Sequence, residues 1–253
     1  MELTVPADGG EIWADDTGGP GTPIVLLHPG WGDSSIWLPL MSRLPRGYRV
    51  IRYDVQGFGR SPAPHAPFTH LGNLTAVLDH LDVPRAALVG HSGGGGTAIG
   101  LALTSPPKVS ALILLAPGVQ DYPWSQDDPY VAEFGKLAAA DDRAGLAALG
   151  LGTWAAADTG PDAQAQITGA VAAMFQLGGF EQPDPPAYDR LHEITAPAVV
   201  ALGDLEYPMV ARCANSIADR IPGCRLVPVP GADHMLPLRA PDLIADLIRE
   251  YTP

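Results

Sequence analysis

Residues 86–99 read Ala86-Ala87-Leu88-Val89-Gly90-His91-Ser92-Gly93-Gly94-Gly95-Gly96-Thr97-Ala98-Ile99, and the reading of this stretch decides the fold. Four apolar residues without alternation suit a short strand buried on both faces. Gly90-His91-Ser92-Gly93-Gly94 then turns the chain, and Gly95 to Ile99 reads as the start of a helix. A serine on so tight a strand-turn-helix bend is forced into a strained backbone conformation. It leaves no room for side chains two residues away on either side, so those positions must be glycine. The bend lifts the Ser92 hydroxyl clear of the backbone and sets the first N–H groups of the following helix beside it, where they can stabilise a developing oxyanion.

Outward from this turn the chain alternates. Further strand candidates are 24–27, 48–53, 111–115, 198–202 and 225–229, with 3–5 and 11–14 as a leading hairpin. Helical candidates lie at 35–43, 68–81, 93–104, 209–220 and 241–250, the last with apolar positions at helical spacing behind Pro241. This is the pattern of an α/β fold with a mostly parallel central sheet flanked by helices. The alternation lapses between about Gly118 and Pro197, where Ala-rich segments at 131–140, 143–157 and 163–177 carry helix formers and no strand signal. Prolines 123, 129, 183, 185 and 186 punctuate the ends of this stretch. Residues 119–196 are therefore expected to form a helical cap inserted into a core built from 1–118 and 197–253.

At 253 residues, 46% hydrophobic and 17% charged, the chain can bury one large core and is not of disordered composition. A net charge of −13 with no Lys/Arg cluster speaks against nucleic acid or an anionic membrane as partner. Two cysteines, Cys213 and Cys224, are too few for a disulfide framework and are read as free thiols. The first residues lack a signal-peptide pattern and no run approaches the roughly 20 apolar residues of a membrane span, so a cytoplasmic protein is expected. The histidine and cysteine spacings suggest no metal, and the chemistry below calls for no cofactor.

A serine hydroxyl needs an imidazole to take its proton and a carboxylate to orient that imidazole, here in the chain order Ser, acid, His. His234 lies in Val229-Pro230-Gly231-Ala232-Asp233-His234-Met235, between the last strand candidate and the closing helix, and is the histidine that qualifies. Two carboxylates, Asp204 and Glu206, follow strand 198–202 in Leu202-Gly203-Asp204-Leu205-Glu206-Tyr207-Pro208. Asp121, beyond strand 111–115, is a third candidate.

At this loop the sequence resembles the α/β-hydrolase family, in which a Gly-x-x-Asp turn supplies the acid three residues after the glycine. That register selects Glu206, with Asp204 in reserve, although the family usually carries Asp. His28-Pro29-Gly30-Trp31 is similar to the family's His-Gly-x turn, which implies that this loop gives half of the oxyanion hole. Pro29 has no N–H, so the donor is Gly30 or Trp31, Gly30 by register, with Gly93 as the second donor. Asp54-Val55-Gln56-Gly57-Phe58-Gly59-Arg60-Ser61 resembles the family's Asp-x-x-Gly-x-Gly-x-Ser turn and reads as scaffold; His28 reads as a structural hydrogen-bonding residue.

The resemblance spans nearly the whole chain, least through the cap, and is nearest to esterases and 3-oxoadipate enol-lactonase-like proteins. It implies the α/β-hydrolase fold and a serine hydrolase acting on a small-molecule carboxylic ester or lactone through an acyl-enzyme on Ser92. The same fold and triad also serve acyltransferases, C–C bond hydrolases, hydroxynitrile lyases and biosynthetic cyclases, and a ligand receptor could be built on the scaffold. Substrate contacts are expected from aromatic residues of the rim and cap, Trp31 and Trp124 first, then Tyr122, Trp154 and Phe175. Trp37, Phe134 and Phe180 compete with local core packing. A homodimer is the assembly allowed for.

Overall fold

The computed structural model describes residues 1–45 and 47–252. Its eight strands are β1 (Glu2–Ala7), β2 (Gly10–Asp16), β3 (Thr22–Leu27), β4 (Tyr48–Tyr53), β5 (Ala86–His91), β6 (Val109–Leu115), β7 (Ala198–Gly203) and β8 (Arg225–Val229). They form one sheet in the order β1-β2-β4-β3-β5-β6-β7-β8. The hairpin β1/β2 and the β2/β4 pair are antiparallel; every pair from β4 to β8 is parallel. The runs without alternation are the central strands: every residue of β5 and β7 is buried, as is all of β6 but Ser110. β8, on the edge, is mostly exposed.

The helices are α1 (Leu38–Met41), α2 (His70–His80), α3 (Gly93–Thr104), α4 (Pro129–Ala139), α5 (Arg143–Trp154), α6 (Pro161–Met174), α7 (Pro208–Arg220), α8 (Leu236–Arg239) and α9 (Pro241–Tyr251). Their starts follow local chemistry. Thr69 and Asp142 cap α2 and α5 by accepting the N–H of Gly72 and Gly145, while prolines open α4, α6, α7 and α9 where the missing N–H costs little. α9 buries Ile244, Ala245, Leu247 and Ile248 on one face. Helices α4, α5 and α6 all fall between β6 and β7, in the stretch where strand signals lapse.

The helix expected over 35–43 is instead a 3-10 turn, Ser34–Trp37, followed by α1. Pro39 cannot donate to the carbonyl of Ser35, which an α-ladder would require. The Leu38 N–H serves that carbonyl in the tighter i to i+3 pattern.

The strand order places the site. After β4 pairs on one side of β3, the chain crosses to β5 on the other side, so the winding reverses between β3 and β5. In open α/β sheets, ligands bind beyond the carboxyl ends of the strands at such a switch point. The loop after β3 carries His28 to Ser34, and the turn after β5 carries Ser92.

Backbones approach so closely here that glycine is obligatory. A Cβ on Gly94 would lie 2.4 Å from the Leu27 carbonyl oxygen and 2.6 Å from that of His28. Gly94→Ala should cost about 1–3 kcal/mol of stability, the scale of overpacking a filled core. Gly152, exposed on α5 with nothing within 4 Å of its Cβ position, should instead gain about 0.5–1 kcal/mol on replacement by Ala. Urea unfolding midpoints test both, and an undiminished midpoint for Gly94→Ala would contradict the contact.

Candidate active site

Ser92 has φ +53° and ψ −116°, a conformation that costs a non-glycine residue about 1–3 kcal/mol. Neighbouring backbone holds it there. The Ser92 N–H donates to the Leu115 carbonyl at 2.9 Å, and the Ser92 carbonyl accepts from Gly95, Gly96 and Gly118 at 3.0, 3.2 and 3.0 Å. A Cβ on Gly90 would lie 2.6 Å from the Gly94 carbonyl oxygen, which explains the glycine two residues before the serine. Gly93 is the first residue of α3, so its N–H has no intrahelical acceptor. A Cβ on Gly93 would sit 3.7 Å from the nitrogen of Gly30, so the loop after β3 and the start of α3 are brought side by side. Trp31, the other donor considered, adds its ring to the same cavity wall.

His234, in the loop between β8 and α8, is 1% exposed in its side chain, as is Glu206. The two meet at 2.8 Å between His234 Nδ1 and Glu206 Oε2, and Glu206 Oε1 accepts the Tyr207 N–H at 2.8 Å. Asp204 is exposed and accepts the Gly231 N–H at 2.7 Å, closing the loop ahead of His234. Asp121, also exposed, accepts from Gln120 at 3.3 Å. Of the three carboxylates, Glu206 is the one set on the imidazole.

Two contacts on His234 have no counterpart in the sequence reading. His91 is fully buried, its ring centroid 4.9 Å from that of His234, and its Nε2 lies 2.6 Å from the His234 carbonyl oxygen. A carbonyl can only accept, so Nε2 carries the proton. Burial drives the His91 pKa well below the usual histidine range, which keeps the ring neutral. Asp233, also fully buried, accepts at Oδ1 from the Met235 N–H and Arg239 Nε, both at 3.0 Å. At Oδ2 it accepts from the Ala157 N–H at 2.9 Å and Arg239 Nη2 at 3.1 Å. The loop that carries His234 is thereby tied to the turn between α5 and α6. Both residues occupy positions that read as spacers in their motifs; the only signal was a polar residue adjoining a catalytic candidate.

His28 is structural, as expected. Its Nδ1–H donates to the Pro29 carbonyl at 2.8 Å and its Nε2 accepts the Val55 N–H at 3.0 Å, and burial lowers its pKa. Asp54 likewise braces its turn, accepting the Ser34 N–H at 2.7 Å and the Arg60 N–H at 2.9 Å.

Ser92 and His234 open on one cavity of about 400 Å³. Trp31, Trp124 and Trp154 line it; Tyr122 and Phe175 do not. Tyr122 packs edge-on against Trp124 and Tyr188, with centroids 4.7 and 5.1 Å apart, and the Arg143 guanidinium covers Phe175 at 4.3 Å. Trp37 is wholly buried in the core, and Phe134 meets Trp31 edge-on at 6.1 Å without reaching the cavity. Phe180 also stays off the lining. Tyr130, which sequence did not single out, faces the cavity beside Trp154, with centroids 4.9 Å apart.

The sequence pattern of the Alpha/beta hydrolase family matches residues 24–247. The chain belongs to that family. Among its relatives is a Variovorax paradoxus (strain S110) protein named "Putative carbamate hydrolase RutD". It is 31% identical over an alignment of 231 residues that covers 83% of this chain and 84% of that one. The fold is also that of a solved structure described as "Est816 as an N-Acyl homoserine lactone degrading enzyme", with TM-score 0.81, 27% identity and coverage of 98% and 99% of the two chains. The enol-lactonase from Burkholderia xenovorans LB400, at 23% identity, shares the fold with TM-score 0.80 over 98% and 99% of the chains. Among the described residues, no helix is long and apolar enough to cross a membrane.

The contacts separate the two carboxylates of the β7 loop. Glu206→Gln keeps the shape but not the charge facing His234 Nδ1, and should lower kcat for a p-nitrophenyl ester about 10⁴-fold, the scale of replacing a triad carboxylate by its amide. Asp204→Ala should leave kcat near wild type and cost about 1 kcal/mol of stability through the lost Gly231 bond. The reverse pattern would transfer the role to Asp204.

Proposed function

We propose that the chain is a serine hydrolase that cleaves a carboxylic ester or lactone through an acyl-enzyme on Ser92. The observation that carries this reading is the buried 2.8 Å contact between Glu206 and one ring nitrogen of His234, beside the cavity that Ser92 also lines. A carboxylate on Nδ1 fixes the imidazole with its proton on that nitrogen and leaves Nε2 free to accept one.

The geometry supports the following course. Ser92 Oγ attacks the carbonyl carbon as His234 Nε2 takes its proton, and Glu206 stabilises the imidazolium so formed. Negative charge develops on the carbonyl oxygen, and the N–H groups of Gly93 and Gly30 stabilise it there. Donors preorganised in this way spare the reorganisation that water would need. His234 then protonates the leaving oxygen, and in the second half-reaction draws a proton from water that attacks the acyl carbon and frees Ser92. All of these steps are carried by side chains and backbone of the chain itself.

A second reading keeps every residue and changes the electrophile. The Variovorax paradoxus relative is named for a carbamate, and the same serine, base and donors could act on a carbamate carbonyl.

Ser92→Ala should abolish covalent labelling by a fluorophosphonate and turnover of p-nitrophenyl acetate, while His234→Gln should slow labelling by several orders of magnitude. Labelling that survives in Ser92→Ala would overturn the assignment of the nucleophile. Wild-type turnover of an N-alkyl p-nitrophenyl carbamate faster than that of the acetate would favour the second reading.

A further inference from the structure

The cavity has two chemically different ends, and the direction of α3 relates them. Gly93, Gly96, Thr97 and Gly100 all face the cavity, at the spacing of one helix face. Gly93 to Gly100 spans seven residues, about 10 Å of helix at 1.5 Å per residue. Packing constrains the outer two glycines less. A Cβ on Gly96 would lie a tight 3.3 Å from the Gly118 carbonyl oxygen, whereas one on Gly100 would meet Leu71 Cδ2 at an ordinary 3.9 Å. By contrast Gly90 and Gly94, on the strand side, are crowded by backbone at 2.6 and 2.4 Å. The absence of side chains along this face leaves a channel floor that starts at the nucleophile.

At the Ser92 end the wall is aromatic. Trp154 lies 4.9 Å from the His234 ring, with Tyr130 at 4.9 Å and Trp31 at 6.3 Å from Trp154. His234 must protonate the leaving oxygen, so the leaving group belongs on this side. The acyl group then points the other way, along α3, past Val119, whose Cα lies 3.7 Å from the Cβ position of Gly96.

The far end is polar. Leu71, which faces Gly100, is next in sequence to His70, and His70, Glu181 and Asp184 all line the cavity. His70 Nε2 is 3.1 Å from Glu181 Oε1 but out of line for a hydrogen bond. That nitrogen is buried and has no hydrogen-bond partner among the described residues. Asp184 gives Oδ1 to the Leu71 N–H at 2.9 Å, leaving Oδ2 without a donor among the described residues. Burial raises the Asp184 carboxyl above the usual carboxylate range, although the Leu71 N–H and the nearby His70 oppose the rise. Glu181 is half-exposed, so this end lies where the cavity meets solvent.

We propose that the acyl group of the substrate runs along α3 and ends in a hydrogen-bond donor received by Asp184 and Glu181 beside His70, the chain and its closing hydrogen bond together covering the roughly 10 Å of that helix face. The substrate class is thus an ester of an ω-hydroxy or ω-amino acid with a chain of about six carbons, whose extended length of about 7 Å plus a hydrogen bond of about 2.9 Å spans such a channel. This inference rests on Ser92 being the nucleophile. The aromatic compartment suits a p-nitrophenyl leaving group, so the p-nitrophenyl esters of hexanoic, 6-hydroxyhexanoic and (N-protonated) 6-aminohexanoic acid provide the test, with the acetate as reference.

Wild type should favour at least one of the two ω-substituted esters over the hexanoate by about tenfold in kcat/KM, the scale of one charge-assisted hydrogen bond. Asp184→Asn, which can still accept the Leu71 N–H, should reduce that ratio to within about twofold, and Glu181→Gln should lower it in part. Because each ratio is taken within one variant, partial loss of folded protein does not affect it. If wild type turns over the acetate but prefers the hexanoate or shows no preference, the inference fails and the proposed function stands. A preference that persists undiminished in both variants also overturns it, by placing the recognition elsewhere. If none of the esters is turned over, both fall together.

Discussion

The strained backbone at Ser92 is the constraint on which the rest of the site depends. A residue held at φ +53° persists only where its surroundings over-determine it. Here the surroundings are the centre of the sheet. β5 lies between β3 and β6, the serine amide bonds to the last residue of β6, and its carbonyl gathers three amides from the start of α3 and the β6 loop. The turn therefore cannot relax without breaking bonds to two other segments. Gly90 and Gly94 follow from the same crowding, because backbone lies against both.

The imidazole is positioned in a comparable way, from several sides. Glu206 reaches it from the β7 loop, His91 from the serine turn itself, Asp233 from its own loop, and Trp154 from the helical insertion. Each contact is modest, of the order of 1 kcal/mol for a neutral hydrogen bond and somewhat more for a charged one. They arrive from different directions, and together they leave the ring few orientations. The neutral state of His91 matters to this arrangement, since a second positive ring beside His234 would oppose the imidazolium that the proposed mechanism requires.

Much of this was legible in the sequence, for reasons that can be traced residue by residue. The central strands were readable because burial on both faces removes polar residues from the run, and Ser92 was readable because strand, glycine turn and helix must coincide. Glu206 came from the register of a family resemblance, not from residue chemistry, which left Asp204 open; it took the contacts of each carboxylate to separate them. The split at Pro39 was missed because helical periodicity does not see a missing donor. Tyr122 and Phe175 were expected in the cavity because aromatic residues in an Ala-rich segment carry no mark of which way they face. His91 and Asp233 sit in motif positions that look free to vary. Asp184 and Leu71, 113 residues apart, meet only through the fold.

Asp233 bonds at the same time to the residue following it but one and to Ala157, beyond α5, and Arg239 extends the tie to the Asp158 carbonyl at 2.6 Å. The insertion is thus fastened to the loop that carries His234 by a buried ion pair. Anyone grafting a foreign insertion between β6 and β7 to alter selectivity would need to transplant this fastening too. A chimera that ignored it would leave a buried carboxylate short of a partner one residue from the imidazole, and so disturb the chemistry through a junction chosen only for its surface.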